Sequence, residues 1–193
     1  MTNLVTDEQA TAQWHGLVKE AESHSGIALD EEIECYLVFL LMRYTQKPEM
    51  AAKVMALEYL RGVQAAGAER QTQLRDVGDQ CLLYSGLFPK RAEHRQVRIS
   101  YYVDLGRSAY HNVAEITHKA MSKMYLQLAN GFVEMMDTLQ AMRSLQHKGQ
   151  EVLDPIRAFE LWNDTHSKRA RQVLTQTTPS IPVWHDPKNC KRH

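Results

Sequence analysis

The chain has 193 residues, with 23 lysines and arginines against 23 aspartates and glutamates, so its formal net charge is zero. This length suits one domain with a core of its own, and a hydrophobic share of 44% with a charged share of 24% excludes collagen-like, disulfide-dense and mostly disordered classes. The balanced charge argues against a general nucleic-acid binder, which usually shows a basic excess.

Helical periodicity dominates the first half of the chain, and runs that alternate as strands do are nearly absent. Thr6 and Gln9 form a predicted capping box for the first helix, which stops near Gly26. Asp30 is the predicted N-cap of the second helix, and Pro48 marks the turn after it. The apolar stripes predicted for the first four helices are Ala10, Trp14, Leu17 and Ala21; Ile33, Leu37, Leu40 or Leu41, and Tyr44; Met50, Val54, Leu57 and Leu60; and Leu74, Val77, Cys81 and Tyr84.

The second half begins with a basic connector, residues 90–98, which has no clear period. Ser100 is the predicted cap of a long helix that continues or kinks as far as Asn130-Gly131. Asp154-Pro155 predicts the start of a last helix, because it places an N-cap before a proline in the first helical position. The stripes here are Tyr102, Leu105, Ala109, Val113, Ile116 and Ala120; Phe132, Met135, Leu139 and Met142; and Phe159, Trp162, Ala170 and Val173.

These segments predict a single all-α domain, residues 1–175, built as a bundle of about seven or eight helices. Residues 176–193 are basic, hold three of the six prolines, and are expected to be an extended or disordered tail. No apolar run approaches the roughly 20 residues that cross a bilayer, and the first ten residues lack the features of a secretory signal. With only three cysteines, which are far apart, we expect a cytoplasmic protein without disulfides.

Three histidines, in two parts of the chain, are candidate metal ligands. His111, Glu115 and His118 include one Glu-x-x-His motif of the kind that di-iron bundles use twice, but the chain has no second copy. Helical geometry places this trio on the face away from the apolar stripe, which favours a solvated polar face over a metal site. His166 lies within the predicted apolar stripe of the last helix; a hydrogen-bonded core histidine is favoured there, and a metal ligand or an acid-base group is the alternative.

Familiar catalytic motifs are absent from the sequence. It contains no Gly-x-Ser-x-Gly elbow, no phosphate-binding lysine loop, no His-Glu-x-x-His and no Gly-x-Gly-x-x-Gly. Cys35 and Cys81 lie among apolar neighbours and are predicted to be small buried hydrophobic residues. We therefore predict no catalytic residue and no cofactor.

The segment from Leu74 to His111 carries the most information about a site. Gly78 and Gly106 predict a close crossing of two helices, since a glycine inside a helix is costly without a packing reason. Charged residues and tyrosines beside this crossing form either a structural seam with ion pairs or a polar pocket, and Asp104 and Tyr101 belong to the same group. The candidate binding residues are Arg75, Asp76, Asp79, Tyr102, Arg107, Tyr110 and His111.

The same segment carries a family resemblance. The pattern Arg-Asp-x-Gly-Asp from residue 75, Ser-Gly-x-Phe-Pro from residue 85 and Tyr-Tyr-x-x-Leu-Gly-x-x-Ala-Tyr from residue 101 resembles a block shared by a group of uncharacterised bacterial all-helical proteins. It covers about a fifth of the chain. The resemblance implies a bacterial cytoplasmic protein, and it supplies no activity, cofactor or catalytic residue.

Three features suggest a binding partner. Five methionines in consecutive helical segments favour an adaptable core, although exposed ones would form a binding surface; they are Met121, Met124, Met135, Met136 and Met142. Trp184 in the tail, with basic residues after it, is a candidate docking segment. Residues 1–42 hold eight acids and one base and the rest of the chain 22 bases and 15 acids, so the first two helices could dock on the basic remainder or the basic parts could face a partner.

We therefore expect a non-enzymatic interaction or regulatory protein whose partner is another protein or a second copy of the same chain. The alternative is a helical-bundle enzyme or carrier that uses a metal or haem through His166 or the His111, Glu115 and His118 face. A weaker option is contact with nucleic acid through the basic connector and the tail.

Overall fold

Helices account for nearly all of the described chain. The structure is a computed structural model that describes residues 2–46, 55–89, 97–146 and 153–177, with side chains from residue 9 onward. The helices in these ranges are α1 (Thr2–Ser25), α2 (Glu31–Gln46), α3 (Met55–Gln64), α4 (Gly67–Leu87), α5 (Ile99–Ile116), α6 (Lys119–Asn130), α7 (Phe132–Gln146), α8 (Pro155–Thr165) and α9 (Lys168–Thr177). The described residues contain no strand, which confirms the predicted all-α bundle.

Helix α4 lies at the centre of the bundle, where it packs against α3, α5 and α7. Its predicted apolar stripe is confirmed, because Leu74, Val77, Cys81 and Tyr84 are all buried. Around this centre, α6 packs on α5, α1 packs on α2 and α7, and α9 packs on α8. Every residue of α4 from Val77 to Gly86 is buried, so this helix is covered on all sides and not only along its apolar stripe.

Two predicted helix starts are wrong. Helix α1 already begins at Thr2, so Thr6 and Gln9 lie inside it and do not cap it. Helix α5 begins at Ile99 without a capping side chain, and the Ser100 hydroxyl donates instead to a carboxylate oxygen of Asp164 in α8, at 2.8 Å. A hydroxyl close to a helix start resembles a cap in sequence even when tertiary packing gives it another partner.

The start of α8 is confirmed, but the last predicted helix is two helices. The Asp154 carboxylate accepts the backbone N–H groups of Ile156 and Arg157 at 3.0 and 3.1 Å. The helix then ends at His166, which has the left-handed φ of 58° and an exposed side chain, so the prediction that His166 lies in an apolar stripe is wrong. This break and a second one at residues 117–118 raise the number of helices in the described ranges to nine.

A buried carboxylate holds the start of α9 against α7. Asp137 of α7 is 1% exposed and accepts the Ser167 hydroxyl at 2.6 Å and the Arg169 backbone N–H at 3.2 Å. The Ser167 oxygen in turn accepts the N–H of Ala170 at 2.9 Å, as an N-cap does. Burial raises the pKa of Asp137 to about 6, although these donors oppose the rise.

The apolar stripe predicted for α3 is wrong in its described part. Leu57 and Leu60 are 54% and 55% exposed, whereas Met55 and Gly62 are buried and Gly62 faces Leu74 of α4. Periodicity identifies an apolar face, but the neighbouring helix decides which face is covered. Other predictions lie outside the described residues: Pro48, Met50, Val54, most of the connector from residue 90, and the tail beyond Thr177.

The close crossing predicted from Gly78 and Gly106 is confirmed. A Cβ atom on Gly78 would overlap the ring of Tyr110 in α5. A Cβ atom on Gly106 would lie 2.5 Å from Phe132 and 2.9 Å from Cys81 of α4. Both distances are far below ordinary van der Waals contact, so the two helices require glycine where they meet.

Part of the acidic charge of the first two helices is paired with a base that lies on α1. Lys19 lies 3.0 Å from Glu22 and 2.5 Å from Glu34, and His15 lies 2.8 Å from Glu34. The ion pair that joins α2 to α4 has its base, Arg43, on α2, which is the opposite of the polarity that the charge distribution suggested.

None of the helices in the described ranges combines the length and the apolarity that a membrane crossing demands.

Candidate functional site

Asp79 of α4 is the centre of a buried polar cluster. Its side chain is fully enclosed, and it follows Gly78, whose missing side chain leaves room for the ring of Tyr110. The Tyr110 hydroxyl donates to one Asp79 carboxylate oxygen at 2.8 Å. Gly78 thus leaves the space in which the Tyr110 ring lies, and the neighbouring Asp79 accepts the hydrogen bond of its hydroxyl.

Helix α2 supplies two further donors to Asp79. The Tyr36 hydroxyl donates to the oxygen that Tyr110 also contacts, at 2.5 Å. The guanidinium of Arg43 donates to the other carboxylate oxygen. Arg75 lies 4.0 Å from the same oxygen and forms its closer pair with Asp76, at 2.8 Å. A buried carboxylate with this many donors is stable only because its charge is paired and hydrogen-bonded.

Burial and charge act against each other in this cluster. Burial raises the pKa of Asp79, while Arg43 and the two tyrosine hydroxyls oppose that rise. Burial and the nearby carboxylate raise the pKa values of Tyr36 and Tyr110 well above the ordinary range, so both hydroxyls keep their protons. Burial alone would lower the pKa of Arg43, but Asp79 raises it, and the guanidinium stays charged.

Three tyrosine rings enclose the cluster. The ring centroids of Tyr36 and Tyr110 are 6.2 Å apart, and Tyr125 of α6 lies 6.4 Å from Tyr36 and 6.0 Å from Tyr110. These separations are typical of favourable aromatic pairs. Because Asp79 is closed off from solvent behind these rings, the arrangement suits a rigid junction of α2, α4, α5 and α6.

The structure brings some of the predicted site residues together. Arg75, Asp76, Asp79 and Tyr110 belong to the cluster, and of these Asp79 and Tyr110 are buried while Arg75 and Asp76 are half-buried. The charge pair predicted between Arg75 and the aspartates of its own helix is therefore present.

The other predicted site residues lie elsewhere. Tyr102 is buried and stacks on Tyr84, with ring centroids 5.4 Å apart. Arg107 donates to the backbone carbonyl of Ala129 at 3.1 Å, near the end of α6. His111 is half-buried, and Asp104 is exposed. Residues that are close in sequence are thus distributed over different faces of α5.

Sequence reasoning missed Tyr36, Arg43 and Tyr125. Tyr36 and Arg43 are seven residues apart, so they lie on one face of α2. Arg43 is also the one charged residue in residues 35–46, which is a signal of a paired charge near the core. The sequence contained this signal, but it did not identify Asp79 as the partner.

Above the cluster, an apolar groove of about 560 Å³ runs between α2 and α6. Phe39 is 62% exposed and Met121 is 46% exposed. Cys35 is exposed as well, so the prediction that it is buried is wrong, whereas Cys81 is buried as predicted. The residues that line the groove are Glu31, Glu32, Cys35, Tyr36 and Phe39 from α2 and Ala120, Met121 and Met124 from α6.

The predicted methionine cluster divides between the core and this groove. Met135, Met136 and Met142 are buried in the core. Met121 and Met124 line the groove. Flexible, polarisable methionine side chains on an exposed surface adapt to varied partners, so the groove has the side chains of a binding surface.

The histidine candidates do not assemble into a metal site in the described ranges. Glu115 and His118 are exposed, as the predicted polar face requires, and His118 precedes α6. Within the part of the chain that the structure describes, no group of three or more His, Cys, Asp or Glu side chains is placed to hold a metal ion.

Comparison of the whole chain with known protein families, with characterised proteins and with solved structures finds no match.

Proposed function

We propose that this chain is a non-enzymatic interaction or regulatory protein of the bacterial cytoplasm, which binds another protein through the groove between α2 and α6. The bacterial and cytoplasmic parts of the proposal are supported by the segment from Leu74 to His111, which resembles a block shared by a group of uncharacterised bacterial all-helical proteins. The binding role is supported by the groove.

The observation that carries the proposal is an exposed apolar groove on a rigid base. Phe39 and Met121 expose about half or more of their side chains at the two walls of the groove. The Tyr36 ring forms part of the lining, and its hydroxyl is fixed by Asp79. Concave apolar surfaces of this kind are preferred binding sites, and a rigid support reduces the entropy lost on binding.

Two other exposed apolar patches fit a partner less well. Leu57 and Leu60 lie on α3 alone, and Ile156 and Phe159 lie on α8 alone. Each patch is a ridge on one helix and borders a range outside the described residues. The groove is formed by two helices, and all of its lining residues are described.

Cys35 provides a direct test, because it is exposed and lines the groove. We expect its alkylation to be slower in a concentrated extract of the protein's own cells than in buffer, with mass spectrometry reporting each cysteine separately. Cys81, which is buried, is the internal reference. Removing proteins from the extract by filtration should remove the protection.

Matched variants assign the protection to the groove. Phe39→Glu should lose it, whereas Phe159→Glu, at an exposed phenylalanine on α8, should retain it. Equal alkylation rates of Cys35 in extract and in buffer would contradict the proposed function.

A further inference from the structure

We infer that the occupant of the groove is an amphipathic helix of a partner protein, with lysine or arginine residues along one flank. This inference rests on the proposed function and adds the chemistry of the partner. It follows from the charge of the lining, from the direction of the two helices and from the length of the groove.

The charged residues of the lining are both acidic. Glu31 and Glu32 are exposed at the start of α2, and the other lining residues carry no formal charge. The neighbouring Glu34 is buried and already paired with Lys19, so it contributes little to the field at the groove. Both acids lie on the α2 wall; the exposed Lys119 and Lys123 of α6 are not among the lining residues. A partner with basic side chains on the flank beside α2 complements this acidic rim.

The two walls of the groove are antiparallel helices. Ile33, near the start of α2, lies beside Gly131 at the end of α6, and Tyr36 contacts Tyr125. Phe39 and Met121, each about one turn further along its own helix, both line the groove. A third helix can lay its apolar side chains between two such walls, as in other helix-in-groove complexes.

The α2 wall of the groove, which is the longer of the two, has the length of a short helical contact. From Glu31 to Phe39, α2 rises about 12 Å, which is slightly more than two helical turns. Apolar residues at positions i, i+3, i+4 and i+7 of a partner helix cover this length. An extended peptide that bound by strand addition would need a sheet edge, and the described residues contain no strand.

Synthetic peptides test the inference on the full-length chain. The probe is a fluorescent, side-chain-stapled helix of about 16 residues with leucines at i, i+3, i+4 and i+7 and lysines along one flank. One control peptide replaces the lysines by glutamates, and another places a proline in the middle. We expect the lysine helix to bind about tenfold more tightly than the glutamate helix at low ionic strength, with a smaller ratio in high salt.

Variants of the protein connect this preference to the groove. Replacing both rim residues, Glu31→Gln with Glu32→Gln, should remove most of the preference for lysine, whereas Glu20→Gln on exposed α1 surface should not. Phe39→Ala should weaken the lysine helix about tenfold, and Phe159→Ala should not change it. Thermal melts establish that each variant is folded.

Three results overturn the inference: equal affinity for lysine and glutamate helices, equal affinity for the proline-containing peptide, or binding of none of the three. Protection of Cys35 in extract is measured separately. If Cys35 is protected while the peptides give one of these results, the groove binds a protein of different chemistry and the proposed function stands.

Discussion

The substitution Gly78→Ala tests the packing that supports the site. Alanine in place of glycine inside a helix normally gains about 1 kcal/mol. Here the new Cβ atom would overlap the ring of Tyr110, which is fully buried and donates its hydroxyl to Asp79. Overpacking costs about 2 kcal/mol, and loss of a hydrogen bond to a charged group costs about 2 kcal/mol more.

The expected net effect is a loss of about 3 kcal/mol in the free energy of unfolding, or a melting temperature lower by about 6–12 °C for a chain of this size. Urea titration followed by circular dichroism measures the free energy, and calorimetry measures the melting temperature. Gly16→Ala is the matched control, because Gly16 also lies inside a helix but a Cβ atom there meets nothing within 4 Å. It should stabilise the protein by up to about 1 kcal/mol. If Gly78→Ala were as stable as the original chain, the described contact between α4 and Tyr110 would be refuted.

Three further predictions concern the buried carboxylates and a helix cap. Asp79→Asn leaves Arg43 without its charged partner. Because 32% of the Arg43 side chain is exposed and water can solvate the unpaired charge in part, we expect the free energy of unfolding, measured by urea titration, to fall by about 2 kcal/mol. An unchanged free energy would show that the pair is not formed. The pKa of Asp137, about 6 in the folded chain, lies above the ordinary value near 4, so the folded state binds the proton more tightly than the unfolded state. The free energy of unfolding of the original chain should therefore fall by about 3 kcal/mol, relative to that of Asp137→Asn, as the pH rises from about 4 to about 6, and it should change little above that. Parallel pH profiles of the two free energies would contradict this. Asp154→Ala removes the cap of α8 and should cost about 1 kcal/mol in the same titration, whereas a change below a few tenths would show that the cap contributes nothing.

Much of the fold could be predicted from the sequence, because local signals and long-range packing agree there. The apolar stripe from Leu74 to Tyr84 extends over about three turns, and the structure shows these residues buried in the central helix α4. Asp154 followed by proline correctly predicted the start of α8. Periodicity failed where the backbone breaks without a glycine or proline. His166 takes a left-handed conformation that is uncommon outside glycine, so one predicted helix became two.

The candidate site could be predicted only in part. Gly78, Asp79 and Tyr110 lie in one segment, and their close approach followed from the glycine pattern. Tyr36 and Arg43 are separated from Asp79 by 43 and 36 residues, and only tertiary packing brings them together. Sequence also could not show which apolar residues remain exposed, because exposure depends on whether another helix covers them.

The groove also required the structure. Met121 and Met135 belong to the same methionine-rich region of the sequence, yet one lines the groove and the other is fully buried. Nothing in their local sequence separates the two cases, since both residues follow helical spacing.

The central claim is that a partner binds in the groove between α2 and α6, and methionine methyl NMR tests it most directly. In protein labelled with ¹³C at the methionine methyl groups, titration with the lysine helix should shift the Met121 and Met124 resonances and leave those of the buried Met135 and Met136 in place. Substitution of each methionine in turn assigns its resonance. Binding that leaves Met121 and Met124 unchanged would contradict the claim.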